Sequence, residues 1–188
     1  MMWAILIILF NMPWSNLNLQ WECVLMRLAG LVQEWINKLE WNETVGLDEE
    51  NQTSELNVSL NINDQSFNLW VETDEQKDWI KLYLYAPFNS LSNKYEDCIQ
   101  LFNRINSRRR FGVIFLLEDG RILFRHIIDV ENTEPSIEMI DNMLGHATGL
   151  FENWFDEISS VALTKKTAQE IFDELDAPAA DDNVPDAI

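Results

Sequence analysis

Two cysteines, Cys23 and Cys98, are too few for a disulfide framework in 188 residues. Two histidines, His126 and His146, leave little material for a histidine-based metal site. Six glycines and five prolines exclude a low-complexity chain. Positive charge is scarce beside negative: 13 Lys and Arg stand against 32 Asp and Glu, a formal charge of −19. A surface this acidic repels phosphate, which disfavours a general nucleic-acid binder or a protein docked on anionic lipid. Catalytic signatures are missing too. The chain has no Gly-rich phosphate loop, no G-x-S-x-G elbow and no H-E-x-x-H. Neighbouring acids such as Glu96-Asp97 and Asp156-Glu157 are expected by chance at this acid content, and Asp48-Glu49-Glu50-Asn51 lacks the alternating ligands and bend glycine of a calcium loop.

What remains is apolar mass for a core, at 47% hydrophobic and 11% aromatic residues. The charge is unevenly placed: residues 1–76 hold 2 basic and 12 acidic side chains, residues 77–166 hold 11 and 13, and residues 167–188 hold none and 7. No Lys or Arg lies between Lys38 and Lys77, and the stretch Glu43 to Glu55 reads as a solvated acidic loop or a docking site for a basic partner. The stretch Ala177 to Asp186 has almost nothing to bury and reads as a disordered acidic tail. Met2 to Phe10 is continuously apolar but about half a bilayer span, and no basic residue precedes Arg27, so a stable membrane anchor is not expected. That run reads as a misassigned start or as the sticky end of a strand or helix.

From Trp14 the apolar residues step by three and four, through Leu17, Trp21, Val24, Leu28 and Leu31 to Trp35, which predicts a helix ending near Trp41 and Asn42. Its seam would pack on a sheet or on a second copy. The period then changes to two. Leu56 to Ile62, Phe67 to Val71 and Trp79 to Ala86 read as three antiparallel strands, the last stopped by Pro87. Leu91, Tyr95, Cys98, Phe102 and Ile105 return to helical spacing, with Ser90 or Ser92 as the cap. Phe111 to Leu117 and Arg121 to Asp129 form a hairpin about Glu118-Asp119-Gly120. A long helix opens at Thr133, with Pro135 in its first turn, and continues to Ile158; Thr167 caps a short last helix. The order α-β-β-β-α-β-β-α predicts an α+β fold with an antiparallel five-stranded sheet packed by helices. Three segments follow: an apolar extension at 1–13, a single domain at 14–163, and a short helix with acidic tail at 164–188.

Candidate functional residues are few. Trp79, Tyr83 and Tyr85 share one strand face and form a possible partner-binding strip, unless a helix or second subunit covers them. Arg104, Arg108, Arg109 and Arg110 form the one local basic cluster. It suits pairing with the chain's own acidic segments or an acidic partner; a nucleic-acid-linked regulator is the alternative reading, with Phe111 and Phe115 assigned to a buried strand face rather than to base stacking. His126 and His146 read as partly buried structural residues, and no spacing joins them with Cys98 as a metal site.

Leu101-Phe102-Asn103-Arg104-Ile105-Asn106, then Arg110-Phe111-Gly112, then Leu117-Glu118-Asp119-Gly120-Arg121-Ile122-Leu123-Phe124-Arg125, resemble the YbjN family of bacterial sensory transduction regulators, which has a type III secretion chaperone-like fold. The likeness runs from about Leu31 to Val161; the amino-terminal extension and the segment from Thr164 onward match nothing in it. It implies a small, cytoplasmic, non-enzymatic homodimer that binds another polypeptide, with no cofactor and no catalytic residues to transfer.

Overall fold

The computed structural model describes residues 26–177. The apolar run, the seam before Met26 and the acidic tail beyond Ala177 lie outside the described residues. Helix α1 is Arg27–Lys38, and it buries Leu28, Ala29, Val32, Trp35 and Ile36 at helical spacing. Met26 offers it no cap; the Glu75 carboxylate instead accepts from the N–H groups of Leu28 (2.7 Å) and Ala29 (3.0 Å). The helix ends before Trp41 because Glu40 turns left-handed at φ 57°.

The chain then folds back through β1 (Gly46–Asp48), β2 (Thr53–Ile62), β3 (Gln65–Asp74) and β4 (Trp79–Asn89). Strand β1 corrects the five-stranded expectation to six. It lies inside the acidic stretch, and the Asp48 carboxylate accepts from the Asn51 N–H and side-chain amide, closing the turn that lays β1 along β2. A ladder of three residues is too short to show an alternating pattern. Asn63 and Asp64, at φ 49° and 62°, make the two-residue turn between β2 and β3. Pro87 does not stop β4. The β4–β6 pairing shifts register between Tyr85 and Asn89, and a proline is tolerated where the ladder is already irregular.

Ser92–Lys94 form a 3-10 turn before α2 (Tyr95–Ser107), so neither serine caps the helix; the Ser90 hydroxyl contacts Leu91 O and Cys98 Sγ instead. Strands β5 (Val113–Leu116) and β6 (Arg121–Asp129) follow, joined at Gly120 with φ +88°. The fifth strand starts after Phe111, not at it, because Gly112 turns the chain at φ +65°. Helix α3 (Ile137–Leu163) begins after Ser136 rather than at Thr133, whose hydroxyl closes a turn onto Val130 O. Helix α4 (Ala168–Asp176) starts at Thr167 as expected: Thr167 Oγ1 accepts from Glu170 N–H and the Glu170 carboxylate accepts from Thr167 N–H.

All pairings are antiparallel and the sheet order is β1-β2-β3-β4-β6-β5. The fold is α+β, as the sequence predicts. One sheet face carries Leu56, Val58, Leu69, Val71, Ile80, Leu82, Leu84 and Phe124, and is buried with the apolar faces of the helices in a single core. Phe67 meets Phe151 of α3 at 4.8 Å.

A Cβ on Gly112 would lie 2.0 Å from the Phe124 ring, whereas one on Gly46 meets only ordinary contacts at 3.6 Å. Overpacking and left-handed strain combine at the first site, so Gly112→Ala is expected to cost about 2–4 kcal/mol. Gly46→Ala should change stability by less than about 1 kcal/mol. Urea unfolding of the two variants checks this; equal stability would show that the Phe124 ring yields freely.

Candidate functional site

Period-two alternation gives the sheet a second face, and no described helix buries it. Its side chains are exposed or half-buried, with Asp74 and Leu123 the exceptions. Across this face the register aligns Asn57, Trp70, Tyr83, Arg125 and Val113 in one row, and Asn68, Tyr85, Leu123 and Phe115 in the next. The structure therefore brings Trp79, Tyr83 and Tyr85 together on the open side.

Six charged and aromatic neighbours surround this strip. Trp70 packs on Tyr83 with ring centroids 6.0 Å apart. Glu72 pairs with Lys81 at 2.5 Å, and Lys81 and Lys77 both lie over the Trp79 ring, at 5.7 and 5.3 Å. Arg121 covers Tyr85 at 5.5 Å and Arg125 covers Phe115 at 5.0 Å. Trp70 was visible as the large residue on the polar side of β3, but its meeting with Tyr83 required the strand register. The arginines reach the aromatics only because β6, not β5, pairs with β4.

The face is amphipathic and polarised. Glu55 and Glu72 lie toward the β1 side, the aromatic rings occupy the middle, and Arg121 and Arg125 lie on β6. Burial first, and then the Glu72 carboxylate, pushes the Tyr83 phenol above its ordinary value, so it stays a neutral donor. The Trp70 indole N–H is buried without a partner. Ile127 and Val113 add exposed apolar surface. Beside Trp70, a depression of about 290 Å³ is lined by Glu55, Glu72 and residues of β1. Such a surface can hold a polypeptide by stacking, apolar contact and charge.

The outer edge of the sheet is less available. Asn106, at the end of α2, donates to Ile114 O (2.8 Å) and accepts from Ile114 N–H (2.9 Å). Its carboxamide takes the place of a neighbouring strand on β5, a device that blocks edge-to-edge pairing. Asn106→Ala leaves both backbone groups unpaired by protein. A loss of about 1–3 kcal/mol is expected, with faster amide exchange at Ile114 than at Phe124; equal exchange would remove this role from Asn106.

The four candidate arginines sit away from the open face and do not act alike. Arg104 pairs with Asp176 at 2.6 Å and lies over the Phe172 ring at 4.6 Å, which fastens α4 to α2. Arg109 donates to His146 O at 2.6 Å and covers the Phe124 ring at 5.3 Å. Arg108 and Arg110 are exposed. Phe111 and Phe115 correct the sequence reading: Phe111 is 54% exposed and stacks on His146 at 5.0 Å, and Phe115 is half-buried on the open face under Arg125.

His126 and His146 meet, with ring centroids 5.7 Å apart. Cys98 contacts Ser90 instead, and among the described residues no group of three or more His, Cys, Asp or Glu could hold a metal. Burial, reinforced by His146 and Arg109, holds His126 below its ordinary value. A depressed histidine favours folding in its neutral form, so that stability is complete above the ordinary value near 6.5 and is lost as pH falls toward the folded value. The urea midpoint is therefore expected to fall between about pH 7.5 and pH 5.5, and His126→Phe to reduce the fall. An unchanged pH slope in the variant would clear His126 of this role.

The sequence model of the YbjN family, described as "Putative bacterial sensory transduction regulator", matches residues 29–160. No curated protein matches the chain. Among solved structures, a chain of the HopA1–SchA chaperone–effector complex is similar at 14% identity and a TM-score of 0.47, covering 66% of this chain and 90% of that one. A chain of the ExsC–ExsE complex is similar at 14% identity and 0.48, covering 68% and 90%. YbjN from E. coli, described as "a putative transcription regulator", is similar at 11% identity and a TM-score of 0.41, covering 72% of this chain and 88% of that one. With its six-stranded antiparallel sheet, and with 29–160 matched by the family model, the chain belongs to the YbjN family.

Proposed function

We propose that this chain is a non-enzymatic regulator or chaperone-like protein that works by binding another polypeptide on the open face of its sheet. One observation carries the reading: Trp70, Trp79, Tyr83 and Tyr85 lie together on a face that no described element buries. Large aromatic residues on a rigid support give contact area at little entropic cost, and they dominate binding energy where proteins meet. The mixed charge of the face suits a client that presents apolar side chains together with charges of both signs. The blocked β5 edge favours binding over the face rather than strand addition there.

The same reading takes residues 14–163 as the working domain, with 1–13 and 164–188 as extensions, and places a homodimer in the cytoplasm. No described helix is long and apolar enough to cross a membrane.

A photo-crosslinking amino acid at Tyr83 tests the reading in the host cell, with the same probe at exposed Glu152 of α3 as the control. Discrete polypeptide adducts at Tyr83 and none at Glu152 are expected, and Trp79→Ser should remove most of the adduct. Adducts of equal yield at both positions, or none at Tyr83, would end the proposal. Adducts with a second copy alone would assign the face to the dimer instead.

A further inference from the structure

The arginine corner combines an exposed cationic surface with a fixed starting point for an acidic segment. Arg108 and Arg110 are exposed just beyond the end of α2, and among the described residues no salt bridge engages either of them. Arg109 between them is turned inward onto His146 O and the Phe124 ring, so the backbone carrying its two neighbours is anchored. Helix α4 ends at this corner. The Asp176 carboxylate is bound by Arg104, and Arg104 with Arg108 holds it below the ordinary carboxylate value. Beyond it the sequence continues through Ala177 into Pro178 to Ile188, which contains Asp181, Asp182 and Asp186 and no Lys or Arg.

We propose that Arg108 and Arg110, on the backbone that Arg109 anchors, form a binding surface for an acidic peptide segment, and that the segment is the chain's own 178–188. Charge complementarity and reach both support this occupant. Arg104 and Arg108 lie one helical turn apart, about 6 Å along the axis. The five to six residues from Asp176 to Asp181 and Asp182 span up to about 20 Å. The attachment at Asp176 also keeps the local concentration of tail carboxylates high, on the order of millimolar for a short connection. While the segment is seated, the corner is neutralised and polyanions are turned away. Displacing it uncovers a basic patch that the −19 of the whole chain conceals. The proposal is independent of the open sheet face, since Arg108 and Arg110 belong to the link between α2 and β5 and not to the strands that form that face.

Heparin serves as the polyanion probe, with the full chain throughout. The Asp181→Asn/Asp182→Asn/Asp186→Asn variant removes three charges from the segment. A control, Glu43→Gln/Glu49→Gln/Glu50→Gln, removes the same charge from exposed residues flanking β1, at the other end of the strand order from β5. Five inter-strand spacings put those edges about 24 Å apart, beyond the screening length of about 10 Å at 0.1 M salt.

The tail variant is expected to bind heparin roughly tenfold more tightly than wild type at low salt, with the control near wild type. Adding Arg108→Gln/Arg110→Gln to the tail variant should return it to the wild-type level. In nuclear magnetic resonance spectra, the amides of residues 108–112 should differ between wild type and tail variant at low salt and converge at about 0.5 M salt. Equal gains in the tail variant and the control would reduce the effect to net charge and overturn the proposal. So would a gain that survives loss of both arginines, or amide positions that do not move. Tight heparin binding by the wild type would also overturn it, because the corner would then be open to external polyanions.

Discussion

The contact on which the structure depends is helix α3 lying against the inner face of the sheet. Over 27 residues it presents Ile140, Met143, Ala147, Leu150, Phe151, Ile158 and Val161, all buried. Phe151 and Phe155 meet Phe67 of β3, and Phe155 also meets Phe88 of β4. Burying an aromatic or branched aliphatic side chain contributes about 1.5–3 kcal/mol, so this interface supplies most of what holds helix to sheet. Helix α1 depends on it as well: the Trp35 indole donates to Asp141 of α3 at 2.6 Å, and Lys38 reaches the same carboxylate at 3.0 Å.

That interface covers one face of the sheet and only one. Alternation along each strand then decides what the other face shows: Trp79, Tyr83 and Tyr85 are outside because Ile80, Leu82 and Leu84 are inside. A register slip of one residue would exchange the two sets, so the same packing that stabilises the fold also presents the candidate binding surface. The long arginine and lysine side chains over the rings shield part of that apolar area while leaving their charges in water. Leu123, flanked in register by Tyr85 and Phe115, is buried although it lies on this outer face and outside the main core.

Charge divides the chain in the same spatial terms. The acids of the β1 turn, Asp48 to Glu50, lie at one end of the strand order, and the bases concentrate on β6 and at the end of α2. A single net figure therefore misses that the chain has an acidic edge, a mixed face and a basic corner.

The element types and nearly all of the inner face are legible in the chain's residue pattern, because periods of two and of 3.6 are written directly in the spacing of Leu, Ile, Val and Phe. That pattern also determined the Asp119-Gly120 hairpin and the Thr167 cap, whose chemistry is local. Strand β1 stayed hidden because three exposed residues carry no period, and Pro87 misled because its rule assumes an unbroken ladder. That β6 lies between β4 and β5 emerges from the folded arrangement alone, and it sets Arg125 beside Tyr83. The tertiary structure alone showed that His126, His146, Arg109 and Phe111 converge, that Asn106 closes the β5 edge, and that Arg104 belongs to α4. Each of these is a contact between segments far apart in the chain or across a turn, where the partner is chosen by packing and not by neighbouring residues.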